Sequence, residues 1–371
     1  MTMKFSCEKS LLQLAVSTAA RAVSPKSSIP ALEGILLEAE DGLRLTGYNL
    51  ETGIRTAIPA QIEKKGSLVL SARLFGDIIR KLPDDLVMIG AENYMVNIKC
   101  GMSEFNIMAT AAEDFPELPA VEYQQSFSVM QRDLGAMLRQ TLFAVSDNES
   151  RPIHTGALLE VDDTGLTIVA VDGFRLALRH EPIEKKDSGC FSFVVPGAAL
   201  SEVEKLCGDS EELITVFYGA RHVMFQTGDT ILISRRLEGE FLAWRQAIPR
   251  SNAIKMEADA QKLLSSIERV SLIISDKLKS PLRCVFDDGI LKISTRTAIG
   301  DAADRCPMEG DGGGLEIGFN NKYLMDALKA VPAQKIRLEL SSGVSPCVIL
   351  PVEEEERFLY MVLPVRLKAG E

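Results

Sequence analysis

The chain is poor in the residues on which most chemistry depends. It has 371 residues with three histidines (His154, His180 and His222) and a single tryptophan, Trp244. No histidine has a partner one helical turn away, so a zinc site has little support. The seven cysteines, at positions 7, 100, 190, 207, 284, 306 and 347, show no CxxC or other metal-knuckle spacing. Their odd count does not suit a disulfide framework. Most sit in strand-like company, as in FSCE and SPCVILP, and read as buried free thiols. No apolar run approaches the roughly 18 residues of a membrane helix. The opening MTMKFSCEKSLLQLAVSTAARAV is broken by Gln13, Ser17 and Thr18, so it reads as an amphipathic helix and not a signal h-region. The expectation is a soluble, cytoplasmic protein without a membrane partner.

Catalytic signatures are also missing. There is no GxxxxGKS/T phosphate loop, no GxGxxG after a strand, no HExxH and no GxSxG. Gly312, Gly313 and Gly314 precede a strand and read as a flexible connector; Glu353 to Glu356 read as a solvated loop. Asp172 and Arg175, in VDGFRLAL, could serve catalysis as a carboxylate beside a cation. Without a nucleophile or a histidine at fixed spacing, a structural ion pair after a strand turn is the better reading. No catalytic residue, metal or cofactor is expected.

What the chain does have is repetition, which is sought before other features. KFSCEKSLLQLAVSTAARAVS from Lys4, SFSVMQRDLGAMLRQTLFAVS from Ser126 and AIKMEADAQKLLSSIERVSLIIS from Ala253 share one pattern. Each is an alternating strand followed by apolar residues at three- and four-residue spacing. Aligning Cys7, Val129 and Met256 gives spacings of 122 and 127 residues, the size of domains. Alternating runs around an Asp/Gly turn follow in each repeat: GILLEAEDGLRLTGYNL, GALLEVDDTGLTIVAVDGF and RCVFDDGILKISTRT. These predict β-hairpins. A second strand and helix come next, in SLVLSARLFGDIIRKL, SFVVPGAALSEVEKL and LEIGFNNKYLMDALKAV. The prediction is an α+β protein of three tandem domains, each built twice from strand–helix–strands, with six helices and about two dozen short strands.

Net charge is −11, which by itself argues against a surface coated for nucleic acid. The six helical segments (9–21, 73–82, 131–145, 198–207, 258–270 and 321–330) nonetheless hold twelve basic and seven acidic residues. That excess of five leaves −16 on strands and loops. A basic helical layer on an acidic protein can attract DNA phosphates on one surface only; the alternative is that lysine and arginine simply favour helices.

Together, the triple repeat, VDGFRLAL and the terminal YMVLPVRL resemble the bacterial DNA sliding clamps, the β subunits of DNA polymerase III, from Met3 to Leu367. VDGFRLAL is close to the family's TDGHRLA stretch, and PVRL matches its P-x-R-L ending. The resemblance implies a clamp fold with domains at 1–124, 125–251 and 252–371. It implies a DNA polymerase processivity factor, a head-to-tail homodimeric ring with helices lining a hole around duplex DNA and sheets outside. Such a ring holds DNA by topology through sequence-independent phosphate contacts. Implied partners are duplex DNA, a second copy of the chain, the replicative polymerase catalytic subunit, the clamp loader, repair and translesion polymerases, and mismatch-repair proteins.

Carried over position by position, the resemblance places DNA contacts at Lys26, Arg73, Arg80, Asn148, Pro152 and Ile153. Lys26 stands for a family arginine, Pro152 and Ile153 for two aromatics, and Gly197 and Ala198 for a basic pair. The dimer junction falls at Phe105 and Ile107 on one face and at Ile273 and Ile274 on the other. A client-peptide pocket between the second and third repeats falls at His154, Val171, Gly173, Phe174, Arg175, Leu176, Leu242, Gln246, Ala247, Asn320, Tyr323 and Pro346. It continues through Met361, Val362, Leu363, Pro364, Val365 and Arg366. Gly173 would allow close backbone approach, and Leu176 and Leu242 would floor the pocket for a peptide with leucine and phenylalanine anchors. Phe174 stands for histidine, Gln246 for arginine and His154 for an aliphatic residue. Two rivals are a repeat-built protein-interaction scaffold without DNA encirclement, and an enzyme built on Asp172, Arg175 and His154.

Overall fold

The computed structural model describes residues 2–185, 189–275, 280–353 and 357–367. Six times a strand runs directly into a helix. Thr2–Glu8 enters α1 (Lys9–Ala20), Gly66–Ser71 enters α2 (Ala72–Lys81), Tyr123–Met130 enters α3 (Gln131–Thr141), and Phe191–Pro196 enters α4 (Gly197–Leu206). After the four-residue α5 (Trp244–Ala247), Ile254–Asp259 enters α6 (Ala260–Ser271). Gly300–Phe319 then leads to α7 (Asn321–Ala330). The six long helices match the six expected; α5 is an addition too short to leave a periodic signal.

Local chemistry explains the junctions. Ser71 accepts from the Leu74 amide at 3.5 Å, Asp259 from Lys262 at 2.9 Å and Asn320 from Lys322 at 2.9 Å. Each side chain satisfies an amide that the first helical turn leaves without a partner. Leu12, Ala15, Val16 and Ala19 bury one stripe of α1, and Leu263, Leu264, Ile267 and Val270 do the same on α6.

The chain forms two compact units. The first comprises Met1–Arg132, Glu184–Asp187 and Lys205–Arg236; the second comprises Asp133–Ile183, Ser188–Glu204 and Leu237–Glu371. In the first, a five-stranded antiparallel sheet runs in the order Gln61–Lys64, Thr2–Glu8, Leu86–Glu92, Met95–Cys100, Ser103–Met108. A nine-stranded sheet beside it in the same unit joins strands of the first and second repeats. Its seam pairs Thr230–Arg235 with Thr52–Ile58, and the hydroxyls of Thr56 and Thr230 lie 2.8 Å apart across it. The core of this unit collects Phe5, Leu12, Ile35, Leu45, Phe75 and Ile89.

The second unit contains a ten-stranded sheet that joins the second and third repeats. Its seam pairs Arg175–Glu181 with Phe358–Val362 in the register Leu176↔Met361 and Ala177↔Tyr360. The first two hairpins form as expected, with Leu36 opposite Thr46 and Leu158 opposite Val169.

The third hairpin does not. Leu282–Thr297 is one strand through Asp287, Asp288 and Gly289, and the chain reverses at Ala298 and Ile299 instead. The register shifts on both sides of Asp288, and Gly289 takes φ +65°. The Asp/Gly signal here marks a β-bulge. Gly312 to Gly314 lie within the partner strand Gly300–Phe319, so they form no connector.

Among the cysteines, Cys7, Cys100, Cys284, Cys306 and Cys347 are buried as expected, whereas Cys190 is exposed and Cys207 half-buried. Burial pushes the Cys7 and Cys284 thiols up to about 12, which keeps them protonated and unreactive. Glu354 to Glu356 lie outside the described residues. Among the described residues, no helix is long and apolar enough to cross a membrane.

Candidate DNA, client-peptide and junction sites

The segment VDGFRLAL folds as a tight link between the strands Leu166–Val171 and Arg175–Glu181. Asp172 Oδ1 accepts from the amides of Phe174 at 2.9 Å and Arg175 at 3.0 Å. Gly173 sits at φ +90°, and a Cβ there would meet nothing within 4 Å. The turn therefore demands glycine for its backbone angle, and the space beside it is open.

The Arg175 guanidinium is buried between two carboxylates. Nε donates to Asp172 Oδ2 at 2.8 Å, and Nη1 donates to Asp326 Oδ2 of α7 at 2.6 Å. Its centre lies 4.7 Å from the Tyr323 ring and 5.5 Å from the Phe143 ring. With both charged partners in place and only 9% of the residue exposed, Arg175 holds the wall of the site. Phe174 does the opposite: it is 56% exposed and stacks on Tyr323 with centroids 5.8 Å apart and planes at 19°. Burial, and then the Asp172 charge, raise the Tyr323 phenol above its ordinary range.

The structure separates the expected pocket positions into two neighbouring sets within the second unit. One is an apolar cluster around buried Leu176, Met361 and Val348, with Ile153, Phe241, Trp244 and Ala247 packed against it. His154 is buried at its edge, 5.6 Å from the Phe241 ring and edge-on to it. Burial, and secondarily Arg151, hold the His154 imidazole toward its neutral form. The other set lines a cavity of about 1190 Å³ that includes Phe174, Arg175, Asn320, Tyr323, Val365 and Arg366. Leu242 is exposed just before α5 and Gln246 is exposed within it, so Leu242 does not form the buried floor expected. Val171 and Val362 are buried in strands, Val362 opposite Arg175, and Pro346 is half-buried before Cys347–Pro351.

The tail is tied down by its backbone. The Leu363 amide donates to Phe174 O at 2.8 Å, and the Val365 amide donates to Gly318 O at 2.8 Å. A Cβ at Gly318 would stand 2.5 Å from Val365 O, so glycine is what lets the tail in. Pro364, between these two donors, has no amide to leave unsatisfied.

Of the residues proposed to meet DNA, Lys26, Arg73 and Arg80 are exposed. Arg80 is paired with Asp77 one turn away. Asn148 is exposed and caps its own loop, accepting from the Ser150 amide at 3.0 Å. Pro152 opens a short helical turn, Pro152–Thr155, and is exposed; Ile153 turns into the apolar cluster. The six long helices carry eleven basic and six acidic residues, the same excess of five as expected. Many of these cations are already matched, as in Lys9–Asp84 at 2.9 Å, Arg132–Glu211 at 2.7 Å and Arg269–Asp304 at 2.6 Å. Sequence arithmetic could not show this matching, because the acids come from other elements.

The junction candidates divide between a sheet edge and the end of a helix. Phe105 and Ile107 lie on Ser103–Met108, the terminal strand of the five-stranded sheet, and Phe105 is 38% exposed. Ile273 and Ile274 follow α6; both are half-buried, and Ile274 also lines the cavity. Leu272, next to them, is 83% exposed. Sequence reading missed it because its spacing continues the apolar pattern of α6.

The chain matches three family models in tandem: the DNA polymerase III beta subunit N-terminal domain over residues 3–119, the central domain over 128–242 and the C-terminal domain over 245–366. It is 31% identical to the beta sliding clamp of Halalkalibacterium halodurans, covering 98% of this chain and 100% of that one. With the beta sliding clamp of Synechococcus elongatus the identity is 32%, covering 99% of this chain and 100% of the relative. Among solved structures, the DNA polymerase sliding clamp of Bacillus subtilis superposes with a TM-score of 0.93 at 30% identity, covering 99% of this chain and 100% of that one. The sliding clamp of Pseudomonas aeruginosa bound to griselimycin gives 0.93 at 28% identity, again over 99% and 100%. With sequence and fold matched end to end, the chain belongs to the DNA polymerase III beta subunit family, the DNA polymerase sliding clamps.

Proposed function

We propose that the chain works as a DNA polymerase processivity factor by closing with a second copy, head to tail, into a ring around duplex DNA. The observation that carries this reading is an unfinished sheet. Two sheets run unbroken through repeat boundaries with nine and ten strands, while the third stops at five and ends in Ser103–Met108. The strand Leu282–Thr297 is likewise terminal in its sheet. An exposed edge invites pairing with another chain. A closed two-fold ring satisfies both edges in each copy. Phe105 and Ile107 would meet Ile273 and Ile274 of the second copy, with Leu272 joining the apolar contact.

Residues 1–124, 125–251 and 252–371 are the three clamp domains of this reading. The helices face the DNA, with Lys26, Arg73 and Arg80 supplying charge and Asn148, Pro152 and Ile153 at the neighbouring loop. The apolar cluster and cavity of the second unit hold the client peptide, whose leucine and phenylalanine anchors enter the apolar floor beneath a polar rim. Its clients are the replicative polymerase catalytic subunit, the clamp loader, repair and translesion polymerases, and mismatch-repair proteins, in the cytoplasm. The ring performs no chemical step and needs no cofactor.

The test is topological. Protein loaded on nicked circular DNA by a clamp loader should co-elute with the circle in high salt and be released when one restriction cut linearises it. Release from circle and linear form alike would favour a protein-interaction scaffold over a ring.

A further inference from the structure

The seam of the nine-stranded sheet repeats the backbone plan of the seam at VDGFRLAL, with different side chains. In the second unit Asp172 Oδ1 accepts from the Phe174 and Arg175 amides, and Gly173 takes φ +90°. The Phe174 carbonyl accepts from Leu363, the residue after the last seam pair, Val362↔Arg175. In the first unit Asn49 Oδ1 accepts from the Glu51 amide at 3.0 Å and the Thr52 amide at 2.7 Å. The Glu51 carbonyl accepts at 3.0 Å from Arg235, the residue after the last seam pair, Ser234↔Thr52. Leu50 therefore stands where the other turn has glycine, and it takes φ +75°. A leucine adopts this left-handed backbone only against strain. Its side chain is not spent on the core, being 41% exposed. Strain kept at a residue that faces solvent points to binding and not to folding.

Cations gather beside this leucine where the second unit has its apolar tail. Arg235 stands directly opposite His222 on the neighbouring strand, and the Arg236 amide donates to the Arg221 carbonyl at 3.0 Å. Arg221 and Arg235 are exposed, and neither is in an ion pair among the described residues. Arg236 is committed: Nη1 donates to Gly219 O at 2.8 Å and Ala220 O at 2.9 Å, and the guanidinium centre lies 4.4 Å from the Tyr218 ring. The Tyr48 hydroxyl donates to the Leu50 carbonyl at 3.4 Å. Burial pushes the Tyr48 phenol up and the Arg235 charge works against it, which brings Arg235 and Leu50 to one place. The acid on the turn is Glu51, exposed at its end.

We propose that this corner of the first unit is a docking surface for an acidic peptide segment of a partner protein, one with an apolar residue among its carboxylates. The apolar side chain lies against Leu50, and the carboxylates face Arg221 and Arg235. Two exposed cations without acids of their own call for an anionic occupant, chiefly through rate and selectivity. A displayed leucine adds affinity for an apolar side chain and nothing for a phosphate. The surface goes beyond the client-peptide site and shares no residue with it.

The experiment uses the full chain and fluorescence anisotropy with labelled synthetic peptides. The probe is Asp–Asp–Val–Glu–Asp, with Lys–Lys–Val–Lys–Lys, a neutral peptide with leucine and phenylalanine anchors, and a twelve-nucleotide oligothymidylate as comparisons. The acidic peptide should bind and the basic one should not. Arg221→Glu with Arg235→Glu should weaken the acidic peptide at least about tenfold. Leu50→Gly should weaken it about fivefold without lowering the midpoint in urea unfolding, because glycine suits the left-handed turn. Neither variant should change binding of the neutral peptide. If the acidic peptide fails to bind, or binds both variants as tightly as the parent chain, the docking surface is wrong, and the client site still stands on the neutral peptide. If the neutral peptide fails while the acidic one shows these losses, the client-site reading falls and the docking surface holds. Oligothymidylate binding that is lost in Arg221→Glu with Arg235→Glu, without binding of the acidic peptide, would overturn the proposal in favour of nucleic acid.

Discussion

Asp326 on α7 accepts a hydrogen bond from Arg175 at 2.6 Å across 151 residues of sequence. With Asp172 on its other side, the guanidinium is satisfied where almost no water reaches it. Asp326→Ala leaves a buried cation with one carboxylate instead of two. Hydrogen bonds to charged groups contribute about 1.5–3 kcal/mol, so this variant should lose stability of that order in urea unfolding. Arg175→Lys should not be benign, because a point charge cannot reach both acids in the fork geometry. An unchanged midpoint for Asp326→Ala would mean that Asp172 alone carries the guanidinium.

The pairing of helix cations with local acids bears on DNA affinity. Arg80 must give up Asp77 to meet a phosphate, and exposed pairs of this kind are worth about 0–1 kcal/mol. Asp77→Asn should therefore tighten non-specific duplex binding and steepen its salt dependence by up to about one log–log unit. Alanine at Lys26 or Arg73 should weaken binding equally for all sequences and flatten that slope by a similar amount. Sequence preference in a binding selection would contradict a phosphate-only interface.

The junction should yield to charge. Phe105 and Ile107 on an edge strand, and Ile273 and Ile274 with the exposed Leu272 after α6, are the apolar residues assigned there. Burying such area stabilises by about 25 cal/mol per Å². Ile273→Asp with Ile274→Asp should give folded monomers in sedimentation velocity, and Leu272→Asp should weaken the dimer to a smaller extent. Persistence of a dimer in the double variant would move the junction elsewhere.

All three histidines are held toward the neutral form. Burial is the main cause for each, followed by Arg151 at His154, Arg357 at His180, and Arg235 and Arg221 at His222. Their folded values lie below the ordinary 6.5 or so, so the unfolded chain binds more protons as the pH falls through that range. Stability should decline from pH 7.5 toward pH 5.5, before carboxylates contribute. Asp162, held low first by the Thr164 hydroxyl, adds its loss only in the more acid range near and below pH 4. His154→Leu, which keeps the packing on Phe241, should flatten the decline between pH 7.5 and 5.5 in urea unfolding; an unchanged slope would assign it to His180 and His222.

Much of the fold was legible because its signals are local. Alternating apolar residues and strand-to-helix caps lie within a few positions of each other, and three repeats let each support the others. The Asp172–Arg175 pair was legible for the same reason, at three residues' separation. The third hairpin was misread because Asp–Asp–Gly suits a bulge as well as a turn, and only the partner strand decides between them. Asp326 and Phe143 were invisible at Arg175, since neither lies near it in sequence. Nor could the sequence split the pocket positions into cluster and cavity, a division set by how α7 and the tail meet the turn at Gly173.

The tail separates a structural role from a binding one. Tyr360, Met361 and Val362 are buried in the ten-stranded sheet and must stay. Beyond Val362, the described tail is held by two backbone hydrogen bonds, from Leu363 to Phe174 and from Val365 to Gly318. At a net 0.5–1.5 kcal/mol each, ending the chain after Val362 should cost about 1–3 kcal/mol. The fold should survive that loss. The cavity, however, loses Val365 and Arg366 from its lining, and Phe174 loses the donor that fixes its carbonyl. The truncated chain should sediment as a dimer and still be retained on circular DNA, yet bind a peptide with leucine and phenylalanine anchors more weakly and stimulate a polymerase less. If the tail served only to complete the sheet, stability would fall with no selective loss of binding. Full peptide affinity in a folded, truncated ring would place the client site away from this tail.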